Sequence, residues 1–293
     1  MALGLLLVIV VVAGGAWILV SRVGVEQVTP DLYVMTGIGG NTAVLVTPQG
    51  AVVVDTMTFV RQGEAIRARI SQLTPEPVVA VINTHYHRDH THGNPAFAPG
   101  TPVVSTARTL EHLRQRDADY WSAPAARDLL PNTTFDAGYE RRVGGKTVRA
   151  SFLGRGHTDG DLVVLFVEDR VVHVGDLLFN GYYPNIDLEA GGSLREWSHT
   201  IDRILTLPFD RVIPGHGPVT DRNGLIRFRD FLNSLWTQTK TAVDRGASAD
   251  QVVELVDLDP FGLRILWFAP QLNREFVIRR AYEEAKEHRS DGG

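Results

Sequence analysis

Within Thr84-His85-Tyr86-His87-Arg88-Asp89-His90-Thr91-His92-Gly93-Asn94, four imidazoles and a carboxylate fall in eight positions. Such groups are costly to bury unpaired and gain little from being exposed together, so metal binding is the economical chemistry. His85 and His87 are two apart, and in an extended segment they point the same way and can share one ion. Asp89 and His90 follow where the chain must turn and can face a second ion. The chain contains no cysteine. Disulfides, thiolate nucleophiles and Cys-ligated zinc are therefore excluded, and any site must use nitrogen and oxygen donors.

The element that positions this cluster is Pro77-Val78-Val79-Ala80-Val81-Ile82-Asn83, a β-branched, apolar run that reads as a buried strand. The histidines begin where it ends, and a loop at the carboxyl end of a strand is the usual place for a site in a protein of mixed helix and sheet. Upstream, residues 31–34, 42–46 and 51–55 read as a meander of short strands, with Thr47-Pro48-Gln49-Gly50 as a hairpin turn. Asp55 closes the last of these strands, either as a cap or as a carboxylate that orients a ligand histidine. Residues 62–73 carry Ala65, Ile66, Ile70 and Leu73 at helical spacing and deliver the chain to the histidine strand.

The same pattern recurs downstream. A strand over 146–153 ends in Gly154-Arg155-Gly156-His157-Thr158-Asp159-Gly160-Asp161. A hairpin of 162–167 and 171–174 ends in Gly175-Asp176. A short strand over 210–214 leads to Gly215-His216-Gly217. Each signal alone is weak, because a strand-end His or Asp is commonly a cap or a solvated loop residue. Between the motifs, 101–105 reads as a strand and 107–120 as a charged, mostly exposed helix. The segment from Tyr120 to Pro131 is either a lid or a connector. Phe179 to Asn185 supplies aromatics that either line a pocket or pack over the core. Residues 194–205 form an amphipathic helix that covers a sheet face. His92 reads as a hydrogen-bonding loop residue and His173, between Val172 and Val174, as a structural one.

Taken jointly, these strand-end residues resemble the metallo-β-lactamase superfamily from about Gln27 to about Arg222. The family's His-x-His-x-Asp-His stands at His85, His87, Asp89 and His90, its third histidine at His157, its bridging carboxylate at Asp176 and its last histidine at His216; Asp55 matches the aspartate that precedes the main motif. The resemblance implies an α+β fold, a four-layer αββα sandwich with a dinuclear site at one edge of its two sheets. It implies that His85, His87 and His157 hold one metal, that Asp89, His90 and His216 hold the other, and that Asp176 bridges both. Two zinc ions are the expected cofactors, with iron or manganese as other occupants. The implied activity is that of a hydrolase in which a hydroxide bridging the two ions attacks an ester, thioester, lactone or amide bond of a small molecule. Asp89 is expected to handle protons, and Asp55, with Thr84 and Thr158, to orient ligands from behind. Zinc β-lactamases carry cysteine or serine in place of Asp176, whereas thioester hydrolases of the glyoxalase II type carry aspartate. The resemblance therefore leans away from β-lactams. The alternative within the superfamily is a persulfide dioxygenase with a single iron on His85, His157 and Asp176.

The remaining sequence bounds this expectation. At 293 residues, 44% hydrophobic and 22% charged, with a net charge of -5, the chain can bury a large core and shows no basic run or aromatic-interleaved basic patch, so nucleic acid is not an expected partner. Ala2 to Val20 is uncharged and apolar, and as a helix it would be about 28 Å long, close to the hydrocarbon thickness of a bilayer. Residues 1–22 are accordingly expected to be a transmembrane anchor or an export signal, with the catalytic domain, 25–220, outside the cytoplasm. Residues 221–293 read as a helical extension packed on that domain. Its Arg222, Arg227, Arg229 and Lys240 lie at helical spacing and read as a solvated face rather than as a glutathione grip.

Overall fold

The structure, a computed structural model, describes residues 22–290. The apolar stretch from Ala2 to Val20 lies outside them. Among the described residues no helix is long and apolar enough to cross a membrane.

Alternation of side chains along the strands accounts for the layers. Seven strands form one sheet in chain order: β1 (Gly24–Gln27), β2 (Leu32–Thr36), β3 (Thr42–Thr47), β4 (Gly50–Val54), β5 (Val78–Ile82), β6 (Val103–Thr106) and β7 (Thr133–Phe135). Pairing is antiparallel through β4 and parallel from β4 to β7. The second sheet has the order β13-β12-β11-β10-β9-β8, from β8 (Gly138–Val143), β9 (Lys146–Ser151), β10 (Val163–Phe166), β11 (Val171–His173), β12 (Arg211–Ile213) and β13 (Thr220–Asp221). Ala43, Leu45, Val52, Val54 and Ile82 of the first sheet meet Val148, Ala150, Val164 and Phe166 of the second in one buried cluster. Val44, Val53 and Val81 point the other way, onto Ile66 and Ile70 of the helix Val60–Leu73. Val163, Leu165, Val172 and Val212 turn outward from the second sheet onto Leu194, Trp197, Ile201 and Ile204. Because successive residues face opposite sides of a strand, each run of consecutive valines seals two interfaces at once. The result is helix, sheet, sheet, helix.

The outer helices start where the sequence offers caps. Ser193 accepts from Glu196 N ahead of Leu194–Ile204, and Asp221 accepts from Gly224 N ahead of Arg222–Asp244. The C-terminal helices complete the outer layer of the second sheet. Arg222–Asp244 packs on Leu194–Ile204, and Arg274–Ser290 packs on Arg222–Asp244. The buried Glu284 accepts from Ser193 Oγ at 2.6 Å and Leu194 N at 2.8 Å, so a C-terminal carboxylate caps the helix beneath it.

Two expectations need correction, and one open alternative is resolved. The helix expected over 107–120 stops at Arg116, because Asp117 leaves the helical region and directs its carboxylate to His92. Of the two readings left open for Tyr120 to Pro131, the structure shows the connector: it packs through Trp121 and Ala126 against Leu113, with 122–125 and 127–128 exposed. Arg222 is not on a solvated face: its guanidinium donates to the carbonyls of Leu205, Leu207 and Phe209 and lies 4.6 Å from the Phe209 ring centroid.

Candidate metal centre

β5 ends at Ile82, and the loop that follows presents His85 and His87 before the helical turn Arg88–Thr91 presents Asp89 and His90. His157 stands in the loop after β9, Asp176 in the turn Gly175–Leu177 after β11, and His216 after β12. Strands from both sheets therefore deliver these residues to one edge of the sandwich. His85, His87, His157 and Asp176 form one group, and Asp89, His90 and His216 another, each with donor atoms within 4.8 Å of one another.

The two oxygens of Asp176 are divided between the groups. Oδ2 lies 3.7 Å from His85 Nε2 and 3.5 Å from His157 Nε2, while Oδ1 lies 3.1 Å from His90 Nε2 and 3.3 Å from His216 Nε2. Asp89 Oδ2 completes the second group at 3.3 Å from His216 Nε2. An ion held tetrahedrally by bonds of about 2.1 Å separates its ligand atoms by about 3.4 Å, the spacing found here.

Hydrogen bonds behind the imidazoles set which nitrogen faces inward. His90 Nδ1 donates to Asp55 Oδ2 at 2.7 Å, His157 Nδ1 to the Asn185 carbonyl at 2.9 Å, and His87 Nε2 to Asp187 Oδ2 at 2.9 Å. Thr84 gives its hydroxyl proton to Asp55 at 2.7 Å, so its oxygen accepts from His85 Nδ1 at 3.0 Å. In each case the other ring nitrogen is turned into the cluster, the arrangement that metal-ligating histidines require. His85 Nε2, His90 Nε2 and Asp176 Oδ1 are buried without a hydrogen-bond partner. Orphaned atoms of this kind are costly unless a cation meets them. Asp55 reaches this position through a left-handed backbone, φ 61°, that turns its carboxylate back toward Thr84 and His90. Gly40 and Gly215 clear the space: a Cβ would lie 2.2 Å from the His90 ring at the first and 2.0 Å from Asp176 Oδ1 at the second.

Electrostatics divide the cluster along the same line. Burial pushes His85 and His157 down, His157 to about 4, with neighbouring imidazoles adding to the effect. Burial also opposes charge on His90 and His216, but Asp176 overcomes it, helped by Asp55 and Asp89 at His90 and by Asp89 at His216, which is lifted to about 9. Asp176, though buried, is held well below the usual carboxylate range by His216, His90 and His85. Two neutral imidazoles thus stand in one half and two proton-holding imidazoles with carboxylates in the other.

A sequence profile of the metallo-beta-lactamase superfamily matches residues 35–216, a span that contains every residue of the cluster. The chain belongs to this superfamily. A linear primary-alkylsulfatase from Pseudomonas sp. is 25% identical over 73% of this chain and 49% of its own length, so the chain spans about half of that relative. A metallo-beta-lactamase type 2 from Bacillus sp. is 26% identical over 72% of this chain and 83% of its own. Among solved structures, an inverting sec-alkylsulfatase from Pseudomonas sp. superposes with a TM-score of 0.72 at 18% identity, over 89% of this chain and 50% of that one. The family and its hydrolase relatives, together with the His/Asp cluster, make the protein a metallo-hydrolase that takes divalent metal.

A cavity of about 460 Å³ opens onto His87, Asp89, Asp176 and His216. Phe179 and Asn185 line it, whereas Tyr183 is buried in the core and Tyr182 stacks under Arg264. Other walls come from Ile38, Thr58, Phe59 and Tyr86, from Arg88, Arg116 and Asp117, and from the C-terminal segment through Leu266, Phe268 and Leu272. His92 donates to Asp117 at 2.6 Å and His173 lies buried against the Asn41 carbonyl, as loop and structural histidines. Thr158 hydrogen-bonds Asp161, not a histidine of the cluster. Sequence reasoning missed Asp187, which also accepts from the Tyr86 hydroxyl at 2.5 Å. It lies eleven residues beyond Asp176 with no strand before it, and nothing local marks it.

Proposed function

We propose that the protein hydrolyses an ester, thioester, lactone or amide bond of a small molecule with an apolar body, using two divalent ions, zinc in the first instance. The observation that carries this reading is the division of the Asp176 carboxylate between two complete triads, His85/His87/His157 and Asp89/His90/His216. A mononuclear iron enzyme would have no use for the second triad, which favours hydrolysis over the dioxygenase alternative.

When bound, the ions would supply an acidified water and Lewis-acid polarisation of the scissile group. The rest falls to the chain. Asp176 holds the two halves at a fixed spacing, and Asp55 and Asp187 keep His90 and His87 in the tautomers that face inward. Asp89, at the cavity wall and part-exposed, is the group placed to carry a proton toward the leaving group. Phe59, Phe268 and Leu272 would hold the apolar body and exclude water around the bond. The apolar stretch Ala2–Val20 would place this activity at a membrane or beyond it; fractionation of cells expressing the full chain tests that assignment.

Metal analysis of the purified protein, with a substrate panel of esters, thioesters, lactones, β-lactams and, given the relatives, alkyl sulfates, tests the proposal. Two ions per chain and turnover of an ester-class or amide substrate are expected. One iron per chain with oxygen consumption on a persulfide would overturn it.

A further inference from the structure

Arg88 stands between His87 and Asp89 and is the first residue of the helical turn that carries Asp89 and His90 of the second triad. Its side chain is exposed, lines the cavity, and makes no hydrogen bond or ion pair among the described residues. Arg108, Arg170, Arg229 and Arg280, by contrast, all rest on carboxylates. The carboxylates nearest in the cavity are committed elsewhere, Asp89 to His216 at 3.3 Å and Asp117 to His92 at 2.6 Å. Arg116 reaches the same cavity and likewise has no carboxylate partner among the described residues. Its Nε donates to His112 Nδ1 at 3.2 Å and its Nη2 to the Glu189 carbonyl, neutral acceptors that fix the guanidinium without cancelling its charge.

The charge balance points the same way. With the imidazoles uncharged, as metal-ligating histidines must be, two arginines and three aspartates, Asp89, Asp117 and Asp176, line the cavity, one negative charge in excess. Two divalent ions would convert that to an excess of three positive charges, inside a protein of net charge -5. A cleft of this sign within low-dielectric walls concentrates anions. The remaining lining, Phe59, Leu266, Phe268 and Leu272, is apolar.

We infer that the cavity takes an anionic amphiphile: an ester-class substrate whose apolar body lies along Phe59 and Phe268 and whose carboxylate or sulfonate, remote from the scissile bond, is held by Arg88 with Arg116 behind it. Arg88 is exposed whereas the triad residues are buried or half-buried, so an anion on its guanidinium lies on the solvent side of the metal ligands. A guanidinium meets such a group with two parallel N–H donors, which gives orientation as well as affinity. This rests on the hydrolase reading for the reaction, but the anion site itself does not.

The test compares the full-length wild type with Arg88→Met and Arg88→Lys. With para-nitrophenyl monoadipate and the uncharged para-nitrophenyl hexanoate as substrates, wild type should prefer the monoadipate. Arg88→Met should collapse that preference by about 10- to 100-fold, mainly through KM, and Arg88→Lys should restore part of it, as expected for loss of a charge-assisted hydrogen bond. Calorimetric binding of pentanesulfonate, a weak metal ligand, gives a readout free of turnover and should weaken by a similar factor in Arg88→Met. Equal sulfonate affinity in wild type and Arg88→Met, or an unchanged substrate preference, would overturn the inference. Arg88-dependent sulfonate binding without turnover of either ester would keep the anion site and count against the ester reading of the reaction.

Discussion

Asp187→Asn isolates the part of the centre that no motif announced. Asp187 is nearly buried; one oxygen accepts from His87 Nε2 at 2.9 Å and from the Tyr86 hydroxyl at 2.5 Å, and the other from Ala190 N at 3.1 Å. Burial opposes its ionisation, yet the bonds from His87 and Tyr86 hold the carboxyl well below its ordinary range. Burial and Asp187 together push the Tyr86 hydroxyl up, so it remains a donor. All three contacts to Asp187 are donors, and a carboxylate accepts all of them. An asparagine cannot: its amide group must face either His87 and Tyr86 or Ala190 N, each of which already donates. The substitution therefore removes a charge-assisted bond, about 1.5–3 kcal/mol, from the group that keeps the proton on Nε2 of His87 and its Nδ1 lone pair turned toward His157. That corresponds to about 10- to 100-fold in affinity, the range typical of partners behind metal ligands. Chelator-competition titration of the two ions in wild type and variant is the assay, with circular dichroism melting as a check on the fold. The ion held by His85, His87 and His157 should weaken by that factor, and the ion held by Asp89, His90 and His216 by no more than about threefold. Tyr86→Phe, which leaves the His87 bond in place, should cost less. If both ions weaken equally, or neither does, Asp187 does not act through His87 and the reasoning fails.

His87→Ala should reduce turnover by orders of magnitude while leaving the melting temperature of the metal-free protein nearly unchanged; near-normal turnover would count against its place in the centre. Asp176→Asn should weaken the second ion most, since Oδ1 is the oxygen nearest His90 and His216, and an unchanged metal stoichiometry would remove its bridging role. Metal uptake should differ in pH dependence between the halves. His157, held down to about 4, has no proton to lose near neutrality, whereas His216, lifted to about 9, must release one. His90 is raised as well, so affinity for the second ion should fall by more than tenfold per pH unit, toward a hundredfold as both protons come into play, and more steeply than affinity for the first; parallel titrations at about pH 6 and pH 9 would expose the opposite result. Asp161 is pushed up to about 8 by burial, against the opposing bonds from Thr158. Its folded value lies above its unfolded one, about 4, so the fold favours the neutral form. The stability of the metal-free protein should therefore decline as pH rises from about 4 to about 8, and Asp161→Asn should flatten that slope in urea melts.

What the sequence disclosed depended on whether a residue's role was set by its neighbours in the chain. His85, His87, Asp89 and His90 were legible because one strand and one turn carry all four, and His157, Asp176 and His216 because each follows an apolar run. Runs such as Ala51-Val52-Val53-Val54 were legible as buried strands because both of their faces meet a core. β8 was not: in Gly138–Val143 only Val143 is fully buried, and Tyr139, Glu140, Arg141 and Arg142 give an edge strand the polarity of a loop. The break at Asp117 was hidden for a related reason, since the residues before it continue a helical pattern and the interruption comes from His92, twenty-five positions earlier. Asp187, Arg116 and the aromatic wall at Phe268 share that property: Asp187 meets His87, and Arg116 and Phe268 meet the cavity, only through tertiary packing. The metal ligands are thus written locally, strand by strand. The groups that orient them and shape the substrate's space are written in tertiary contacts, where a change of partner alters specificity without disturbing the histidine motif.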